Sequence, residues 1–375
     1  MAVGTGRITL PDLRRFAVTR SLFTPTTLTR AFHKLGFVQA DPIRAPARAQ
    51  DLTLRHRVRH YRAGDLERRY PTLDVEEDFF VNYGFVPTAV QALMHPRAIA
   101  SGWPAVRRQQ AAALLAFVRE RGAAHPREVD GHFSHGTVTN YWGGSSSATT
   151  HLLTDMHYRG LLRVARREGG IRIYAAHEHA AGPEGAAGRQ AQVDQLVDVI
   201  VRTYAPLPGA SLTGLVNRLR YGVPQWHGEL KGALQRARHR LSHARVDGID
   251  WYWPAAERLP GRAPDDLVRL LAPFDPVVWD RRRFALFWGW AYRFEAYTPA
   301  SKRKLGYYAL PLLWRDRVIG WGNVSVKNGT MQSDFGYVRS HPPRDRAFGR
   351  ELDAEMDRMR MFLRPALAGP RRRSA

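Results

Sequence analysis

Two polar residues stand two positions apart in a segment that otherwise has the composition of a buried strand. They are Gln39 and Asp41 in FVQADPI. Because side chains of a β-strand alternate between its two faces, both would lie on the same face. A carboxylate can orient or deprotonate a water molecule and stabilise positive charge on a sugar-like transition state, and an amide can hold that water. The pair therefore predicts a hydrolytic site in a groove.

A structural interpretation of the same pair stays open. Aspartate before proline is common turn chemistry, so Asp41 could cap a helix after Pro42. Gln39 could then satisfy a backbone edge. The two residues alone do not decide between a catalytic and a structural role.

Basic and hydroxyl-bearing residues follow the pair and recur later in the chain. They could contact a nucleic-acid backbone through charge, hydroxyl groups or the amides of a helix start. A solvated surface, simple N-capping and the edge of a sheet are the corresponding structural interpretations. The predicted DNA-contact set is Arg44, Arg48, Gln50, Arg55, Ser145, Ser146, Ser147, Lys302, Arg303 and Lys304.

The charge balance supports a polyanionic partner. The 375 residues include 57 Lys+Arg against 34 Asp+Glu, which gives a formal charge of +23. Only five of the basic residues are lysine. A GC-rich codon pool would explain arginine in place of lysine, but it does not explain the excess of bases over acids. An excess spread over the whole chain favours DNA as the partner.

Several classes of protein lose their usual signatures in this chain. It has no cysteine, which excludes disulfides, thiol catalysis and cysteine-based metal sites. The histidines have no well-placed acidic partners, and we find no Walker loop, no G-x-G-x-x-G and no G-x-S-x-G. We therefore expect no metal, no nucleotide cofactor and no membrane span. We expect a cytoplasmic, nucleoid-associated monomer.

Helical and strand patterns alternate along the chain. In the first part, Thr24 is the expected N-cap of a helix whose apolar stripe ends at Gly36. Further helices are expected over 104–121 and from a serine cap to Gly160. Hairpins are expected with turns at 168–170 and at Asp247-Gly248.

This order of helices and hairpins predicts an α+β fold made of tandem winged-helix units, each a helix-turn-helix followed by a β-wing. The expected domains are winged-helix units at 1–95, 96–182 and 183–257, and a small β-rich C-terminal domain with a closing helix at 258–368.

Three quoted segments resemble the YcaQ/AlkZ-type winged-helix DNA glycosylase family. They are LGFVQADPI…ARAQDL, LLAPFDPVVWDRRR and YRFEAYTPASKRKLGYYALPLLW. The resemblance implies a monofunctional glycosylase that hydrolyses the N-glycosidic bond of alkylated, cationic purines in double-stranded DNA, with bulky adducts or interstrand crosslinks among its substrates. It also implies that Gln39 and Asp41 are the catalytic pair and that no metal or cofactor takes part. The chain departs from the family pattern at Gln50, Asn82-Tyr83-Gly84 and Asn323.

Two other functions compete with a glycosylase. The first is a non-catalytic winged-helix DNA-binding protein or transcription regulator, although three predicted units and a β-rich tail are unusual for one. The second is a structure-specific nuclease, for which the sequence lacks a clustered acidic metal set.

Overall fold

The computed structural model describes residues 7–98, 102–134, 136–139, 145–179, 185–259 and 263–367. Short 3₁₀ segments lie at Tyr70–Thr72, Leu219–Tyr221, Pro224–Glu229 and Ala300–Lys302. The helices are, in chain order, α1 (Leu10–Ser21), α2 (Leu28–Leu35), α3 (Ala49–Leu54), α4 (Asp65–Arg69), α5 (Thr88–Ala92), α6 (Ala105–Arg121), α7 (Pro126–Phe133), α8 (Ala148–Arg159), α9 (Gly185–Tyr204), α10 (Gly209–Arg218), α11 (Leu230–Arg240), α12 (Arg281–Trp288) and α13 (Arg346–Leu367).

Strands alternate with these helices throughout the chain. They are β1 (Val38–Gln39), β2 (Val75–Phe79), β3 (Tyr83–Pro87), β4 (Thr137–Thr139), β5 (Ser145–Ser147), β6 (Leu162–Glu168), β7 (Ile171–Ala176), β8 (Leu207–Pro208), β9 (Ser242–Val246), β10 (Ile249–Trp253), β11 (Val268–Leu270), β12 (Leu310–Trp314), β13 (Arg317–Lys327) and β14 (Thr330–Tyr337). The mixed helix and strand content agrees with the predicted α+β class.

The chain divides into two compact units. Unit 1 comprises Met1–Asp65, Asp198–Leu215 and Gln235–Ala375, and unit 2 comprises Leu66–Val197 and Val216–Leu234. Unit 1 holds the antiparallel sheet β11-β12-β13-β14 and the sheet β8-β10-β9. In unit 2 the antiparallel pairs are β2–β3, β4–β5 and β6–β7.

Most of the local predictions are confirmed. Helix α6 covers the expected span, and α8 begins after the cap Ser147 and ends at Gly160, whose φ is +84°. Both predicted hairpins form, because glycines with positive φ stand at each turn. The expected strands and closing helix of the C-terminal part are also present.

The start of α2 is an error of the sequence prediction. The helix begins at Leu28, and its N-cap is Thr27, whose Oγ1 accepts the N–H of Arg30 at 3.3 Å. Thr24, the expected cap, therefore lies outside the helix. The expected end at Gly36 is confirmed, and a Cβ at Gly36 would lie 3.0 Å from Val199 Cγ1.

A buried apolar cluster in unit 1 holds the segment between β11 and α12 in place. It joins α1, that segment and the C-terminal sheet. Partly buried Trp288, Trp290, Leu305 and Trp321 pack against it. Its buried members are Val18, Leu22, Leu271, Val277, Val278, Phe284, Tyr292, Ala309, Leu313 and Val318.

Beside this cluster, Arg57 and Asp275 form a bidentate ion pair with no solvent exposure. The two N–O distances are 2.7 and 2.9 Å. Arg57 also donates to the carbonyls of Ser21 and Thr53, and Asp275 accepts the N–H of Val277. Because both charges have further hydrogen bonds, the pair is compensated despite its burial.

No helix in the described part of the chain is long and apolar enough to cross a lipid bilayer.

We expect Asp275→Asn to lower the free energy of unfolding by about 3–5 kcal/mol, because it leaves the Arg57 charge buried without its counterion. Urea denaturation followed by tryptophan fluorescence measures the change. The matched control is Asp357→Asn, which breaks an exposed pair with Arg360 on α13 and should cost less than about 1 kcal/mol. Equal effects of the two substitutions would contradict the structural role of the buried pair.

Candidate functional site

The backbone around Asp41 is a loop and not the expected strand. Strand β1 ends at Gln39, and the next helix, α3, begins only at Ala49. Asp41 Oδ1 accepts the N–H of Ile43 at 2.9 Å, which is an aspartate turn. The structural alternative of a helix cap directly after Pro42 is therefore not found, and the expected longer strand is wrong. The proline and the side-chain hydrogen bond together favour a turn at this position.

Gln39 is oriented by an indole. Its Oε1 accepts the Nε1–H of Trp279 at 2.6 Å, and Trp279 also packs on Tyr204 with ring centroids 5.2 Å apart. Because an indole nitrogen only donates, the atom facing it must be the amide oxygen. The amide nitrogen of Gln39 therefore keeps both its hydrogens to donate elsewhere.

Asp41 is a buried carboxylate with inequivalent oxygens. The side chain is 7% exposed, and its Oδ1 is held in the turn. Oδ2 makes no hydrogen bond to any residue that the structure describes. Burial raises the pKa of Asp41, and the hydrogen bond from Ile43 partly opposes that rise. The carboxylate is thus poorly solvated when ionised, and one oxygen is left for a ligand.

Gln50 supports the loop that carries Asp41. Its Oε1 accepts the N–H of Asp41 at 3.2 Å, and the side chain is buried. The predicted DNA contact for Gln50 is therefore corrected to a structural role. No sequence pattern indicates this contact, because it joins Gln50 to a backbone N–H nine residues earlier in the chain.

Arg55 is also corrected. Its guanidinium is buried in an ion pair with Glu355 and donates to the carbonyl of Leu270 at 3.0 Å. A phosphate would have to displace a buried carboxylate to reach it. Arg55 therefore joins α3 to β11 and α13 within unit 1, and we remove it from the DNA-contact set.

The other predicted cations of unit 1 lie nearer the surface. Arg44, Lys302 and Lys304 are exposed, and Arg48 is half-buried at the start of α3. Arg303 donates to the carbonyl of Thr298 at 2.7 Å and lies over the ring of Tyr307, 4.9 Å from its centroid. These positions are compatible with phosphate contacts, which remain a prediction.

The predicted serine site is in unit 2. The Ser147 hydroxyl caps α8 by accepting the N–H of Thr150 at 3.2 Å, and it donates to Asp130 at 2.8 Å. This is the N-capping alternative, and a neighbouring carboxylate disfavours a phosphate there. We therefore remove Ser147 from the DNA-contact set. Ser145 and Ser146 lie in β5, and their side chains are outside the described residues.

Two tyrosines near Asp41 were not predicted. Burial raises the pKa of Tyr308, and the charge of Asp41 raises it further; the same two causes act in the same order on Tyr297. Tyr308 is 3% exposed, and its hydroxyl has no hydrogen-bond partner among the described residues. Tyr297 is 74% exposed. Both tyrosines lie in the quoted segment YRFEAYTPASKRKLGYYALPLLW, but that segment did not indicate proximity to Asp41.

A metal centre is not evident in the described ranges. No three His, Asp or Glu side chains there are grouped so that they could hold a metal ion. The sequence has two closely spaced histidine pairs, His132 with His135 and His177 with His179, and His135 lies outside these ranges.

Comparisons with known proteins place the chain in a family. The model of the DNA glycosylase AlkZ-like family matches residues 32–362, and the chain belongs to that family. Among solved structures, the chain is similar to the DNA glycosylase AlkZ of Streptomyces sahachiroi, with a TM-score of 0.60 and 12% sequence identity. The match covers 95% of this chain and 97% of the other. At this identity the likeness shows the shared fold.

We expect Gln50→Ala to lower the free energy of unfolding by about 1–3 kcal/mol, because the substitution leaves the N–H of Asp41 without its acceptor.

Asp41→Asn should keep or slightly raise the free energy of unfolding at neutral pH. The raised pKa means that the ionised form is disfavoured in the fold, and an asparagine Oδ1 can still accept the N–H of Ile43. Denaturation curves at matched pH test both. A large loss in Asp41→Asn alone would indicate a structural carboxylate.

Proposed function

We propose that the protein is a monofunctional DNA glycosylase that hydrolyses the N-glycosidic bond of alkylated purines. The observations that carry the proposal are the oriented amide of Gln39 and the carboxylate of Asp41, whose second oxygen accepts no hydrogen bond from the described residues. Membership of the AlkZ-like family supports it.

In the proposed reaction, the bond between the sugar C1′ and the purine nitrogen breaks, and its electron pair passes to the purine. Positive charge develops on the sugar, where the carboxylate of Asp41 stabilises it. A water oxygen then bonds to C1′, and the proton of that water passes to Asp41. The amide nitrogen of Gln39 donates a hydrogen bond that positions the water or the sugar.

Cationic purines fit this site because it provides a base and not an acid. A purine alkylated at N7 or N3 carries a positive charge, so it leaves as a neutral base and needs no protonation. Asp41 is the titratable group that we assign to the reacting sugar. Bulky adducts and interstrand crosslinks are further substrates within the same proposal.

DNA contact would come from exposed cations and from winged-helix units. In unit 2, α6, α7 and α8 precede the hairpin β6–β7, which is the order of a helix-turn-helix followed by a wing. The hairpin β9–β10 likewise follows α10 and α11 in the sequence. We propose that these are tandem winged helices, and that Arg44, Lys302 and Lys304 contact phosphates.

We expect Asp41→Asn to slow base release by at least about 100-fold, the order found for loss of a positioned acid–base group. Gln39→Ala should slow it less, because an amide only orients. The assay is single-turnover cleavage of a duplex with one 7-methylguanine, followed by alkaline scission at the abasic site, with and without EDTA. DNA affinity should change little in either variant.

A wild-type rate in Asp41→Asn would end the catalytic assignment. Tight DNA binding by the wild-type protein with no base release from any alkylated duplex would favour a DNA-binding regulator. Activity that EDTA removes and a divalent metal restores would favour a nuclease.

We expect duplex affinity to fall steeply with salt, because the chain carries a formal charge of +23. The slope of log K against log salt should be several units, since each neutralised phosphate releases counterions. Fluorescence anisotropy over a salt series measures it. A flat salt dependence would contradict binding through the phosphate backbone.

A further inference from the structure

A cavity of about 450 Å³ in unit 1 adjoins the loop that carries Asp41. Ala45 of that loop lines it, together with Tyr307, Tyr308 and facing residues of β13 and β14. Within the described lining, Asp334 is the one charged side chain, and the rest are neutral. The chain has 57 basic residues, but none of them is among the described residues that line this cavity.

The walls of this cavity offer aromatic surface. Tyr307 and Tyr308 supply it. Phe294, which is not part of the described lining, meets the ring of Tyr308 edge-to-face with centroids 5.2 Å apart. The buried hydroxyl of Tyr308 has no partner among the described residues. Because its pKa is raised, this hydroxyl stays protonated and can donate to an acceptor atom of a ligand.

Asn323 fixes the polar side of the cavity. Its Nδ2 donates to the carbonyl of Leu305 at 2.8 Å, which leaves Oδ1 as an acceptor. Gly306 has φ +121°, and a Cβ there would lie 2.2 Å from Asn323 Oδ1, so only glycine fits beneath the amide. Asn323 pairs with Asp334 in the register of β13 and β14, which places the carboxylate beside the amide.

We propose that this cavity receives the positively charged, alkylated purine, and that Asp334 is a specificity-determining residue that selects for its charge. The proposal rests on the proposed function, because Asp41 must act on the attached sugar. Carboxylates and tyrosine faces attract a flat cation, whereas an undamaged purine is neutral and gains nothing from the charge. The hydroxyl of Tyr308 and Oδ1 of Asn323 would pair with the polar edge of the base.

The test measures binding with two duplexes of matched shape. One carries 7-methylguanine on a 2′-fluoroarabino sugar, which slows cleavage, and the other carries the neutral 7-methyl-7-deazaguanine. At mildly acidic pH the first ring keeps its positive charge. The readout is the ratio of the two Kd values for the full-length protein.

We expect the wild-type protein to bind the cationic base roughly three- to tenfold more tightly, the scale of an attraction between partly solvated charges. Asp334→Asn should remove most of that preference, and Asp334→Glu should keep it. The matched control is Asp353→Asn, on the exposed face of α13, which makes the same change of net charge and should keep the ratio.

A wild-type protein that does not distinguish the two duplexes, or an unchanged ratio in Asp334→Asn, would overturn the proposal. Because the ratio is measured without turnover, it is independent of the glycosylase assay. A protein that releases no base can still show the preference, and an active glycosylase can lack it. The two conclusions can therefore fail separately.

Discussion

The buried ion pair between Arg57 and Asp275 is the constraint on which the rest of unit 1 depends. Arg57 follows α3, and Asp275 opens the segment that runs to α12. The pair brings together two parts of the chain that are more than 200 residues apart. Since the desolvation of both charges is costly, their hydrogen bonds to Ser21, Thr53 and Val277 are needed to compensate it.

The candidate site depends on this constraint through Trp279. Val277 and Val278 are buried in the apolar cluster, and the next residue directs its indole to Gln39. The segment continues into Asp280, which caps α12 by accepting backbone N–H groups. The run FDPVVWD thus supplies an ion pair, core side chains, an orienting indole and a helix cap within seven residues.

Several of the arginines that produce the positive net charge form ion pairs with buried carboxylates inside the fold. In unit 2, Arg97 and His95 bind the buried Asp78; although burial alone would raise the pKa of Asp78, these partners hold it well below its usual range. Arg167 likewise binds the buried Glu77. Net charge therefore overstates the number of cations available to DNA, and Arg55 and Arg57 show the same in unit 1.

Features that depend on neighbouring residues could be predicted from the sequence, and features that depend on distant partners could not. The cap at Ser147, the end at Gly160 and the Asp247-Gly248 hairpin follow from local backbone chemistry. Thr24 failed because Thr27 competes with it as a cap three residues later. The role of Gln50 and the burial of Arg55 depend on tertiary contacts that no local pattern encodes.

The candidate pair Gln39 and Asp41 shows the same division. Their spacing made Gln39 and Asp41 candidates, but the continuous strand expected to place both on one face is not present, because the strand ends at Gln39. A turn and not a strand holds Asp41, and this difference affects the chemistry. In the turn, one carboxylate oxygen is used by the backbone, so the charge of the other is directed to one side.

The indole of Trp279 determines the orientation of the Gln39 amide in a similar way. A donor-only partner leaves the amide nitrogen for the site, so an amide that could present either atom presents a donor. An amide donor and a poorly solvated carboxylate suit a water molecule that accepts from the first group and donates to the second. In the reaction that we propose, a water held by these two groups is therefore the nucleophile, and Asp41 does not attack the sugar directly.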